Sequence, residues 1–70
     1  MSTPKYWAVA YPNDDLVQIK DPAAGMRVIH RLTIINPNLT VNLALHGYFV
    51  VGKFCARGDG AYTALVKRSK

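Results

Sequence analysis

Residues 26–45 read MRVIHRLTIINPNLTVNLAL, two stretches of alternating apolar residues cut by Asn36-Pro37-Asn38. Alternation with period two is the signature of a half-buried β-strand. In the first stretch Met26, Val28, His30, Leu32 and Ile34 fall on one face, and Arg27, Ile29, Arg31, Thr33 and Ile35 on the other. In the second, Leu39, Val41, Leu43 and Leu45 are expected inward, with Thr40, Asn42, Ala44 and His46 outward. Proline lacks an amide hydrogen and asparagine tolerates left-handed backbone, so Asn36–Asn38 is expected to turn a central hairpin.

The same pattern extends along the chain. Strands are expected at 5–11, 16–20, 26–35, 39–46, 48–56 and 61–68, separated by the turn sequences PNDD, DPAAG, NPN, a lone Gly47 and RGDG. Residues 26–35 would be the longest strand. Trp7, Val9 and Tyr11 share one face of the first, and Gly52 marks a bulge in the fifth. Short strands at regular spacing predict an all-β fold, a small antiparallel barrel or sandwich of about six strands.

Seventy residues make a single domain, residues 1–70, with short N- and C-terminal arms at MSTPK and KRSK. No apolar run approaches the roughly 20 residues a membrane-spanning helix needs, so no membrane partner is expected. The N-terminal segment has no signal-peptide pattern, so synthesis in the cytoplasm is expected. Cys55 is the single cysteine, so no internal disulfide can form. Burial and conformational entropy nearly cancel in so small a chain without a staple, which favours stabilisation by oligomerisation or docking.

Chemistry-bearing residues are few. His30, His46, Cys55 and Asp59 are the types a nucleophile set would use, but no local signature joins them. The expectation is a non-enzyme with no cofactor and no metal. Arg57-Gly58-Asp59 matches a cell-adhesion tripeptide, but without a secretion signal it is expected to be an exposed tight turn. Asn38-Leu39-Thr40 matches a glycosylation acceptor by chance.

The net charge is +5 and the pI about 9.7, which permits a nucleic acid or an acidic protein as partner. Arg27 and Arg31, four residues apart, would share a strand face, with Lys53, Lys67 and Arg68 extending the patch. Basic groups among aromatics are how small barrels bind single-stranded nucleic acid, and this is the alternative function.

One stretch carries a family resemblance. Pro22, Ala24, Gly25, Arg27, Leu32, Ile34 and Asn36, followed by Thr40, Val41, Leu43 and Gly47, resemble a pattern in small virion proteins of tailed bacteriophages. There a Pro-Ala-Gly turn leads into a basic, apolar strand, then a polar turn and a Thr-Val-x-Leu strand. The resemblance covers residues 22–47, about a third of the chain. It implies a capsid decoration (cement) or minor capsid protein, assembled as a homo-oligomer in the virion and docked on the major capsid protein or another virion protein. Such docking would stabilise the particle through many weak contacts. A strand apolar on both faces cannot be buried on both sides by 70 residues. The expected partner contacts are therefore Arg27, Ile29, Arg31, Thr33 and Ile35, joined by Lys67, Arg68 and Lys70.

Overall fold

The computed structural model describes residues 5–68. Five strands form one antiparallel sheet: β1 (Lys5–Tyr11), β2 (Leu16–Asp21), β3 (Arg27–Thr33), β4 (Tyr48–Ala56) and β5 (Tyr62–Arg68). A single α-helix, α1 (Leu39–Leu45), joins β3 to β4. The strand order is β3-β2-β1-β5-β4, so β1 is central, β3 and β4 are the edges, and the helical connection crosses from one edge to the other.

The fold is all-β in class, with five strands in an open sheet and a helix where the sixth strand was expected. The reason lies at residues 38–47. The Asn38 side chain accepts hydrogen bonds from the Thr40 and Val41 amides at 3.1 and 3.2 Å, an N-cap. At the other end Gly47 takes φ 89°, and its amide donates to the Ala44 carbonyl. A glycine in this left-handed conformation just past the last turn is a common helix stop. Two caps flanking a seven-residue segment outweigh the period-two pattern. Burial follows the helix period: Asn42 and Leu43 are buried and Leu39 half-buried, whereas Val41 and Leu45 are exposed. Asn36–Asn38 therefore turns no hairpin; it leads into the helix, and residues 26–45 are an edge strand followed by a crossover.

Asn42 is the only buried polar side chain among the described residues. Its Oδ1 accepts from the Ile35 amide at 2.8 Å and the Asn36 amide at 3.1 Å, and its Nδ2 donates to the Thr33 carbonyl. The His46 Nε2–H donates to that same carbonyl at 3.1 Å. One side chain thus satisfies the backbone of the β3–α1 connection that no sheet ladder reaches.

The helix packs on one face of the sheet. Cross-strand partners share a face, so the register defines it: Ala8 faces Ile19 and Ala64, Ala10 faces Val17, and Tyr6 faces Val66. Ala8, Ala10, Val17, Ile19, Val66, Leu43 and Tyr48 make the core. Alanines on the central strand leave room for the larger side chains of α1 and the flanking strands. Tyr48, 2% exposed, bonds His30 across this face and packs edge-on to Tyr6, with the Arg68 guanidinium 6.0 Å from its ring. It ties the two sheet edges together beneath the helix. Burial raises the Tyr48 phenol pKa, and the Arg68 charge opposes that shift.

Two irregularities interrupt the ladders, and the one in β3 re-aims side chains. Ile19 pairs with His30 but Lys20 pairs with Val28, so Ile29 is an extra residue in β3. In β4 the register passes from Val51–Leu65 to Cys55–Thr63, with Gly52 at φ 92° inside the irregular stretch. The one extra residue in β3 inverts the facing of everything beyond it, whereas β4 carries two extra residues, so Val51 and Cys55 keep the same face. Strand β3 also starts at Arg27, because Gly25 and Met26 both take left-handed backbone, at φ 69° and 64°. At nine residues β4 is the longest strand.

Replacing Asn42 by Ala strands the Ile35 and Asn36 amides and should lower stability by about 1–3 kcal/mol. Urea unfolding should show this as a lower midpoint; an unchanged midpoint would contradict the clamp. A second expectation concerns alkaline pH. A folded-state pKa raised above the ordinary value of about 10 means that the neutral phenol's contribution is complete below pH 10. It is lost as pH rises through the raised value. Tyr48→Phe should cost about 1 kcal/mol at neutral pH. Its stability deficit against the parent should hold up to about pH 10 and shrink above it, read by denaturant titration at each pH.

Candidate nucleic-acid interface

The helix covers one face of the sheet; among the described residues no helix or strand lies over the opposite face. Four rows of side chains cross that open face, one of them Thr33, Leu16 and Tyr11 at the end nearest the β1–β2 turn. Val28, Lys20, Trp7, Leu65 and Val51 are successive partners from β3 to β4. Lys5, Lys67 and Phe49 form the next row toward one end of the sheet. Arg31, Gln18, Val9, Thr63 and Cys55 form the row on the other side. Val9 is buried among these neighbours, but Trp7 is 36% exposed, Val51 37% and Phe49 48%. The face therefore offers an indole and a phenyl ring on an apolar floor, with cationic side chains around them.

Charge is unevenly placed. The antiparallel register gathers Lys5, Lys20, Arg27, Lys67 and Arg68 at the end where β1 and β3 begin and β5 finishes. Of the four acids, only Asp21 lies at that end. Asp14 and Asp15 sit in the β1–β2 turn and Asp59 in the β4–β5 turn, at the opposite end. No acid occupies an open-face position in any strand. Lys5 and Lys67 are direct cross-strand partners, an arrangement that repels. Among the described residues the one ion pair is Arg57–Asp59 at 3.6 Å, so neither lysine has a carboxylate partner there.

The residues expected to contact partners divide between the faces. The β3 bulge at Ile29 puts Arg31 on the open face opposite Gln18, and Arg27 on the helix side opposite Asp21. The two arginines do not share a face, contrary to the four-residue spacing. Thr33 pairs with Leu16 on the open face. Lys67 is on the open face; Arg68, its neighbour, is on the helix side against Tyr48. Ile29 sits on the bulged edge at 37% exposure. Ile35 lies beyond β3 at 64% exposure and lines a groove of about 600 Å³ with Pro12, Asp15, Pro37 and Tyr62. Lys70 lies outside the described residues.

The remaining candidates are dispersed. His30 bonds Tyr48, His46 bonds the Thr33 carbonyl, and Cys55 is exposed on β4 opposite Thr63. Among the described residues no group of three or more His, Cys, Asp or Glu side chains is placed to hold a metal. Arg57-Gly58-Asp59 is a self-contained turn: Arg57 pairs with Asp59, and the Asp59 carboxylate accepts from the Ala61 amide at 3.2 Å. No helix of the described residues is long and apolar enough to cross a membrane.

Trp7, Phe49, Lys5 and Lys20 are open-face positions outside the expected partner contacts. For Lys5 and Trp7 the signal lies in β1, where Lys5, Trp7, Val9 and Tyr11 alternate with Tyr6, Ala8 and Ala10. Small residues on one side mark where a helix packs close. The bulkier set opposite is the face it leaves bare.

The repulsion between Lys5 and Lys67 is open to a direct check. Lys67→Glu should raise stability by a few tenths of a kcal/mol at low salt, a gain that fades by about 1 M salt. A loss of stability at low salt would contradict the placement of these two side chains.

Comparison with protein-family models, with curated proteins and with solved structures finds no match.

Proposed function

We propose that the protein is a non-enzymatic binding module whose open sheet face binds single-stranded nucleic acid. One observation carries this reading: Trp7 and Phe49 stand exposed on a face that also holds Lys5, Lys20, Arg31 and Lys67 and no acid. Aromatic rings supply stacking surfaces for bases, and lysine and arginine supply the phosphate contacts. The cross-strand Lys5–Lys67 pair is unfavourable in the free protein and becomes favourable with a phosphate between the two. A duplex presents its bases edge-on and stacked inside, so rings lying on a sheet are suited to a strand whose bases are free.

Four open-face cations set the expected salt response. Neutralising about four phosphates of a single strand gives a slope of log K against log salt of roughly −2 to −3. Replacing both Lys5 and Lys67 by Ala should flatten that slope by about 1 to 1.5. Fluorescence anisotropy of a labelled 20-mer of thymidylate, titrated at several salt concentrations, measures both. No binding at low salt would remove the reading.

A second reading, a virion structural protein of the capsid-decoration kind, draws support from a different feature. The open sheet leaves two edges unpaired, β3 carrying exposed Ile29 and β4 carrying Phe49 and Val51. Bare edges accept strands from other chains, and such pairing repeated on a shell would give multivalent docking. Sedimentation of the isolated protein as a lone monomer that does not pellet with assembled particles would remove it.

A further inference from the structure

The open face also says how a strand would lie on it, if the nucleic-acid reading above holds. Trp7 and Phe49 are not neighbours. Trp7 is in the row of Leu65 and Val51; Phe49 is one row further on, in the row of Lys67 and Lys5. They are two strands apart across the sheet, β1 to β4 with β5 between, and two residues apart along it. With strands about 4.8 Å apart and a rise of about 3.4 Å per residue, the two backbone positions are separated by roughly 12 Å. The line joining them crosses β5 between Leu65 and Lys67.

A stacked strand advances about 3.4 Å per nucleotide, and roughly twice that when its bases are pulled apart onto separate platforms. Twelve ångströms then corresponds to about two nucleotide steps. We propose that the open face is a three-nucleotide site. The first base stacks on Trp7 and the third on Phe49. The middle nucleotide crosses β5, its sugar and base over Leu65 and its phosphate on Lys67, with Lys5 beside it. The path runs diagonally over the sheet, toward the end where the cations gather. Arg31 and Lys20 lie on the other side of Trp7 and meet the phosphate that precedes the site. Both stacking platforms are ring faces without hydrogen-bond readout, so the site takes pyrimidine or purine strands and selects length over sequence.

Trp7 is the single tryptophan of the chain, so its fluorescence reports occupancy directly. The experiment titrates the protein at low salt with oligothymidylates of two, three, four, six and twenty nucleotides. Affinity should rise about tenfold from two to three nucleotides and little from three to four. Phe49→Ala should abolish that step while leaving dinucleotide binding within about twofold, and Phe49→Leu should reproduce the loss. Phe49 is half exposed, so the variants should keep the parental circular dichroism spectrum. A smooth rise with length, or a step that survives Phe49→Ala, would overturn the three-nucleotide register while leaving a nucleic-acid surface in place. Failure of the 20-mer to quench Trp7 would overturn both.

Discussion

The two sheet edges, β3 and β4, are drawn toward each other over one face by the His30–Tyr48 hydrogen bond, and α1, the single α-helix among the described residues, packs on that same face. Much else follows from that asymmetry. The core collects on the helix side, around alanines at positions 8 and 10 and the side chains of Leu43 and Tyr48. The helix is held there by polar contacts as well as apolar ones. Asn42 accepts the Ile35 and Asn36 amides and donates to Thr33, so the crossover from one sheet edge to the other has its backbone groups paired. With that crossover fixed, the opposite face is left with half-exposed rings and unpaired cations.

The strands were legible because each carries its own period-two signal between strong turn residues. Pro12 and Pro22 start short 3₁₀ turns that close on the positive φ of Asp15 and Gly25, and Gly58 and Gly60 take positive φ in the β4–β5 turn. Residues 39–45 misled because LTVNLAL satisfies both periods: read by two it has a leucine or valine at every other position, read by 3.6 it has Leu39, Asn42 and Leu43 on one side. The tie is broken outside the segment, by Asn38 and Gly47, and by a polar residue at 42 that would have no reason to be buried in a strand. The bulge at Ile29 was not legible at all. Its sequence neighbours are ordinary strand formers, and the extra residue shows only when β3 is paired with β2. That one residue decides whether Arg27 and Arg31 act together.

The open face was half visible for the same reason. Composition showed a basic chain with seven aromatics, but which of them are core is a matter of register. Tyr48 and Phe49 are adjacent and have opposite fates: one is 2% exposed beneath the helix, the other 48% exposed on the open face. Lys67 and Arg68 divide in the same way. A sheet that sorts neighbours to opposite sides makes one basic cluster in sequence into two different environments in space. The open face retains a destabilising pair, Lys5 opposite Lys67, that a polyanion would relieve. The local conflict is the kind found where a surface is shaped for a partner and not for the free fold.

Backbone amide shifts during titration with a thymidylate 10-mer show which face of the sheet binds. If it is the helix-free face, Lys5, Trp7, Leu65, Lys67 and Phe49, together with the Trp7 indole, move together and saturate at one ratio. Amides of Leu39–Leu45 should stay in place. Shifts confined to the helix or to the groove beside Tyr62, or none at any ratio, would contradict the proposal.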